Sequence, residues 1–423
     1  MKTLQSTILS FLFILFFVSC SPQENKTSVY SNVPNAQLIS ALDEVMENQM
    51  EMGRIAGGVI MISQGDSIIT EKAWGWINRE EEEPMETHHL FRIASMTKVI
   101  TSASILQLYE KEKLKLDDPV ELYIPEFANP VVLSEFDEET GTYQTKPASR
   151  SITIHDLLTH TSGIAYGFTN DTYGRIYSDA DVPDLGTEEE ITIEETMASL
   201  GTLPLAHDPG ERFTYGLNTD VLGRVVEVVS GQSLADYFTT HIFKPLKLND
   251  IGFYHPGREH DLTRLYSIQD STLVVYPEEN SGIITPNFPV SGAMTYFSGG
   301  AGLTSSTADY HMFLTAIHNG GSVNGKRILE EETVTLMTEN QIGELDLNGN
   351  KFGYGLMITT EEGTSDGKRS IGSLSWGGAF QSTYWIDPEE DMIVVMMTQV
   401  LPSLGQSEFY DQFEWAIYEI VSK

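Results

Sequence analysis

Ser95 and Lys98, in the run Ser95-Met96-Thr97-Lys98, stand three residues apart, the spacing that sets two side chains on one face of a helix. A serine hydroxyl is a weak nucleophile at neutral pH. Acyl transfer through it needs a neighbouring group to manage its proton, and donors for the developing oxyanion. A lysine amine one turn further on reaches the hydroxyl, and a helix N-terminus favours negative charge beside it. The spacing alone does not select the nucleophile, because Ser365-Asp366-Gly367-Lys368 repeats it. That second site lies in Gly363-Thr364-Ser365-Asp366-Gly367, a literal match to the nucleophile-elbow pattern. An elbow needs a buried strand before it and a helix after it. Here Glu361 and Glu362 precede, and Lys368 and Arg369 follow, the composition of a polar turn. Ser95 instead follows Phe91-Arg92-Ile93-Ala94 and opens a helical run that extends to about Lys111.

The elements that must position this pair lie at both ends of the chain. Gln37 to Met50 has helical apolar spacing, and Gly57 to Ser63 is an apolar strand that turns at Gln64-Gly65-Asp66 into a second strand, Ser67 to Trp74. Strands return at Gly353 to Thr359, Ser370 to Trp376, Gln381 to Ile386 and Met392 to Thr398, before an amphipathic helix over Phe409 to Val421. Between them lie helical starts at Asp156 to Leu158 and Thr219 to Val229. Long loops, Phe127 to Arg150 and Tyr166 to Gly186 among them, are expected to shape a pocket. The pattern predicts an α/β chain of the α+β kind. One antiparallel sheet, flanked by helices, draws on residues 37–90 and 300–423, and a mainly helical region, about 91–299, is inserted beside it. A cleft between the two is the expected site.

Four blocks follow in order: LFRIASMTKVITSASILQLYEKEKLKLDDPV, ITIHDLLTHTSGI, PGERFTYGLNTDVLGRVVE and SWGGAFQSTYWIDPEEDMIVVMMTQ. Together they resemble the class C β-lactamase-like serine hydrolases, a group that includes the family VIII carboxylesterases. The resemblance covers about residues 37–423 and implies a β-lactamase/DD-peptidase-like fold. It further implies that Ser95 is the acylated nucleophile, Lys98 its partner, and Tyr215 the phenol that exchanges protons with nucleophile and leaving group. The backbone amides of Ser95 and Ala379 would form the oxyanion hole. Trp376, Gly377 and Gly378 would line the substrate. Two departures stand out. Where β-lactamases of this group carry an asparagine two residues after the tyrosine, this chain has Leu217, with Asn218 one step later as the candidate amide contact. Where they carry Lys-Thr-Gly, this chain has Trp376-Gly377-Gly378, the form seen in the esterase branch. Loss of that lysine removes a cation for a substrate carboxylate and points to small neutral acyl esters. The alternatives are a β-lactam or a D-amino-acid peptide or amide as substrate, and a penicillin-binding sensor that is acylated with little turnover.

The remaining features bound the function further. The 423 residues include 25 Lys and Arg against 61 Asp and Glu, a formal charge of -36. Such a surface repels phosphate backbones and anionic headgroups, so nucleic acid is not an expected partner. His155, Asp156 and His160 do not converge on one helix face, so no metal site is expected. The Gly-rich Ser298-Gly299-Gly300-Ala301-Gly302 is not followed by a phosphate-loop lysine and is expected to support the cleft floor. The chemistry calls for no cofactor. At the N-terminus, Lys2 and the apolar run Ile8 to Val18 read as a signal peptide over residues 1–19. Phe17-Val18-Ser19-Cys20 resembles a bacterial lipobox, apart from Phe17 in place of leucine, which implies lipid attachment at Cys20. The polar stretch from there to residue 36 reads as a flexible tether. The mature enzyme is thus expected outside the cytoplasm, held to a bacterial membrane only by that anchor.

Overall fold

The computed structural model describes residues 31–32, 34–277, 284, 288–364 and 368–422. The expected signal peptide, Cys20, most of the tether and the Ser365 to Gly367 turn lie outside them. Helix α1 (Ala36–Glu51) starts where the Asn35 side chain accepts from the backbone amides of Gln37 and Leu38, an N-cap that satisfies two donors the helix leaves open. Strands β1 (Gly57–Gln64) and β2 (Ser67–Asn78) form the expected hairpin. Its two-residue turn places Gly65 at φ +54°, a conformation that costs glycine nothing.

The middle of the chain supplies helix α2 (Lys98–Glu110), entered through a 3₁₀ turn over Ala94–Thr97, and helix α3 (Asn218–Ser230). Helix α4 (Thr307–His318) follows. Then come β3 (Lys351–Phe352), β4 (Met357–Ile358), β5 (Leu374–Gly378), β6 (Ser382–Asp387), β7 (Met392–Met397) and helix α5 (Gln406–Val421). The sheet runs β2-β1-β7-β6-β5-β4-β3, antiparallel throughout, with Ser31–Asn32 added in parallel along β2.

Both faces of this sheet are covered, so its central strands read as unbroken apolar runs. Ile60, Ile62, Val394 and Met396 pack with Leu38, Leu42 and Met46 of α1 and Phe409, Phe413 and Ile417 of α5. The alternate residues Val59, Ile393, Val395 and Met397 face the larger core, which contains α2, α3 and α4. Each such side chain, taken fully from water, contributes about 1.5–3 kcal/mol. Helix α2 is buried from Lys98 through Leu108, the signature of a helix surrounded on all sides.

Four expectations about elements need correction. The loop expected over Tyr166 to Gly186 contains a helix, Asp171–Ser178, capped by Asn170. The loop expected over Phe127 to Arg150 contains an antiparallel hairpin, Val131–Phe136 with Tyr143–Pro147; its second strand is exposed throughout and carries no apolar alternation. The strand expected over Gly353 to Thr359 shrinks to Met357–Ile358, because the chain folds back at Gly353 to Leu356 (N–H to O 2.8 Å). Gly355 there has φ +88°, and a Cβ on it would stand 2.6 Å from Ser102 Oγ. The strand expected over Ser370 to Trp376 begins later and takes in both glycines, Gly377 opposite Thr383 and Gly378 opposite Ser382.

Candidate active site

Ser95 sits in the turn that leads into α2. Ala94 before it has φ +41°, a strained value for a residue with a Cβ, and this kink brings Ser95 to the head of the helix. Ser95 is 9% exposed and Lys98 1%. The Lys98 ammonium uses all three hydrogens: it donates to Ser95 Oγ at 3.2 Å, to the Tyr166 hydroxyl at 2.9 Å and to the Gly300 carbonyl at 2.8 Å. Above it lies the ring of Tyr215, with Nζ 4.7 Å from the ring centroid, a contact that the electron-rich face of the ring favours. The Tyr215 hydroxyl accepts from the Trp376 indole Nε1 at 3.2 Å.

Strand β5 carries Trp376, Gly377 and Gly378 along this group. A Cβ on Gly378 would stand 2.6 Å from the Ile93 carbonyl and 3.6 Å from Met96 Sδ. The missing side chain therefore lets β5 close onto the turn that holds Ser95, which brings Ala379 to the same place. Aromatic rings gather around the group: Tyr166 stacks on the exposed Phe168, and Trp376 contacts Phe352.

The Gly-rich segment lies under Lys98. Gly299 accepts from Thr101 Oγ1 at 2.6 Å and Gly300 from Lys98. A Cβ on Gly299 would collide with the Thr219 carbonyl at 2.5 Å, and one on Gly300 with Asp220 Oδ2 at 2.3 Å. The segment thus packs tightly between Lys98 and the first turn of α3.

The structure does not bring Asn218 to the cleft. Its side chain is fully buried at the start of α3, donating to His160 Nδ1 at 2.9 Å and to the Ile164 carbonyl at 3.3 Å, and accepting from Ser162 Oγ. His155, Asp156 and His160 turn to three different partners. His155 Nδ1 meets the Tyr354 hydroxyl at 2.9 Å, and Asp156 closes a capping box with Thr153 and pairs with Arg150. Burial, then the Lys98 charge, holds His160 well below the usual imidazole range, so it stays neutral. Among the described residues no three His, Cys, Asp or Glu side chains gather as a metal site.

One residue of the group was missed from the sequence. Tyr166, fully buried, is a direct partner of Lys98. It stands three residues beyond Gly163 in the block ITIHDLLTHTSGI, and that adjacency was the available signal. Burial, then Asp220, pushes its phenol well above the ordinary tyrosine value.

A mixed sheet-and-helix fold with a buried Ser–Lys pair beneath a tyrosine defines an enzyme of the β-lactamase and penicillin-binding type. The Beta-lactamase family model matches residues 42–417, and the chain belongs to that family, as a serine hydrolase with esterase and acyltransferase relatives. It is 30% identical over 371 residues to an uncharacterized protein of Mycobacterium tuberculosis, covering 84% of this chain and 88% of that one. Esterase EstB of Burkholderia gladioli is 29% identical over 381 residues, with 86% and 91% covered. Among solved structures, EstCE1, a hydrolase with promiscuous acyltransferase activity, superposes with a TM-score of 0.77 at 25% identity, covering 90% of this chain and 98% of that one. The sequence resemblance to the class C β-lactamase-like hydrolases and their esterase branch therefore holds, as does the fold it implied.

Proposed function

We propose that the protein hydrolyses small carboxylic esters through an acyl-enzyme on Ser95. The observation that carries this reading is the Lys98 ammonium, engaged at once by Ser95, Tyr166 and Gly300 under the face of Tyr215. With its three hydrogens committed, Lys98 serves as a fixed cation, and Tyr215, acting as its phenolate, takes the Ser95 proton and becomes the phenol. Ser95 Oγ then bonds to the ester carbonyl carbon, and the amides of Ser95 and Ala379 receive the oxyanion. Collapse breaks the bond to the alkoxide, which recovers the proton from Tyr215. Water, deprotonated by the Tyr215 phenolate this leaves, attacks the acyl carbon; collapse expels Ser95 Oγ, which recovers that proton from Tyr215, and the carboxylic acid leaves. Trp376, where a cation would otherwise meet a substrate carboxylate, favours neutral esters over penicillins and peptides. The names of relatives support the same direction, EstB being an esterase and a Penicillium rubens relative, 27% identical over 394 residues, a lovastatin esterase.

The test is turnover of p-nitrophenyl acetate and butyrate by the soluble domain, with Ser95→Ala as control. Loss of about 10³-fold or more is expected; an unchanged rate in that variant overturns the assignment. Nitrocefin turnover that rivals the ester rate would instead favour the β-lactam reading. We further propose that Cys20 carries a lipid anchor outside the cytoplasm, supported by the apolar run before it and by its being the chain's single cysteine. Membrane release on Cys20→Ala tests it.

A further inference from the structure

Asp220 is a buried carboxylate that the reaction above does not use. It sits in the first turn of α3 with no exposed surface. Its Oδ1 accepts from Ser298 Oγ at 2.5 Å and from the Gly300 amide at 3.2 Å. It thus holds the turn whose Gly300 carbonyl receives Lys98. Its Oδ2 has no hydrogen-bond partner among the described residues. A Cβ on Gly300 would stand 2.3 Å from that oxygen and 3.0 Å from the Tyr166 hydroxyl, so the two groups flank one point. The Tyr166 oxygen already accepts from Lys98, and the Asp220 carboxylate acts on this phenol through its charge, without a hydrogen bond between them. Meanwhile the three hydrogen-bond partners of Lys98 are all neutral. A buried ammonium needs a compensating charge nearby.

Resting on the reading of Ser95 and Lys98 above, we propose that Asp220 is a positioning residue. Acting through Gly300 and Tyr166, it fixes the Lys98 ammonium against Ser95 and supplies its counter-charge. The other titratable groups around this cluster are Tyr215, His160, Tyr296 and Asp184. Burial raises the Asp220 carboxyl, while Ser298 and then Lys98 pull it back, as expected for a carboxylate that shares a dry site with a cation.

The proposal is tested with Asp220→Asn, Ser298→Ala, Tyr166→Phe and the Asp220→Asn/Tyr166→Phe double variant. Removing the carboxylate takes a negative charge out of the buried site, which favours the deprotonated forms of the groups that remain there. The kcat/KM profile of Asp220→Asn is therefore expected to move acidward on both limbs by about one pH unit, with kcat reduced about tenfold or more and KM little changed. Ser298→Ala loosens the turn but keeps the charge, so it should lower kcat without moving the profile. The double variant should be non-additive, since both residues act on the same ammonium. A folded Asp220→Asn with the wild-type profile, or strict additivity, overturns the proposal. Should Asp220→Asn not fold, Ser298→Ala and Tyr166→Phe decide: a lowered kcat in either with KM little changed and the profile unmoved supports it, and wild-type kcat in both overturns it. Fluorophosphonate labelling of Ser95 in the wild type separates the two readings: no label there means that the Ser95 assignment, and not merely the role of Asp220, has failed.

Discussion

The Trp376 indole and the Tyr215 hydroxyl are joined by a 3.2 Å hydrogen bond, with the two rings 5.3 Å apart and inclined at 54°. The bond fixes the rotation of a phenol whose ring already rests on Lys98. Tyr215→Phe keeps the ring and removes the oxygen that exchanges protons, so kcat is expected to fall by about 10²–10⁴. Trp376→Phe removes only the donor and is expected to cost about tenfold. Steady-state kinetics on p-nitrophenyl acetate rank the two, and the reverse ranking contradicts the assignment.

Gly378 marks where β5 meets the Ser95 turn. A methyl there stands 2.6 Å from the Ile93 carbonyl, inside van der Waals contact with rigid backbone. Gly378→Ala is expected to push β5 away and misplace the Ala379 amide. One oxyanion donor is worth about 10²–10³ in kcat. The expected outcome is a loss approaching that size with the thermal midpoint lowered only modestly; full activity would show that β5 does not supply a donor.

Asp156 is 2% exposed on its side chain and accepts from Arg150, Thr153 and Thr161. Burial works to raise its carboxyl, but Arg150 and Thr153 outweigh burial and hold it below the usual carboxylate range. A depressed value contributes stability that is present above the unfolded pKa and lost as pH falls through the folded one. Asp156→Ala is expected to destabilise by about 2–4 kcal/mol at pH 7, with the gap from wild type closing in acid. Urea unfolding at pH 7 and near pH 3 measures both.

Asp184 shows the opposite sign. It accepts from the amides of Gly167 and Phe168 at 2.7 and 3.1 Å, next to Tyr166, yet burial pushes it up from 3.8 to about 6. Stability from a raised acid is present below the unfolded value and lost as pH rises through the folded one. The shift corresponds to at most about 3 kcal/mol. Asp184→Asn, which keeps an acceptor oxygen, is expected to match wild type near pH 4 and to melt higher above pH 6. A melting-temperature difference that does not vary with pH would contradict this.

The parts of this molecule that were legible in the sequence are those whose evidence is local. Ser95 and Lys98 share one helical turn, and the β1–β2 hairpin is marked by its own glycine. Tyr166 and Asp220 were not, since a tyrosine after an apolar stretch and an acid in a first helical turn are ordinary core and cap residues until a distant Lys98 meets them. Asn218 was expected at a substrate amide because of its distance from Tyr215. The helix begins at that very residue, and its side chain turns inward to His160 and Ser162 instead. The exposed Tyr143–Pro147 strand has no alternation to betray it, and the end of β5 was hidden by glycines that ordinarily argue against a strand.

The sheet order sets a condition on when the enzyme comes into being. β1, made early, lies against β7, made near the end, and the glycine strand that must meet Ser95 reaches the sheet only through β6 and β7. Pairings across most of a chain's length are slow to form. A nascent polypeptide can hold Ser95, Lys98 and Tyr215 and still lack the wall that completes their cleft. A product that ends before β5 therefore lacks Trp376, Gly377 and Gly378 however early Ser95 is made, so completeness of the chain and completeness of the site coincide.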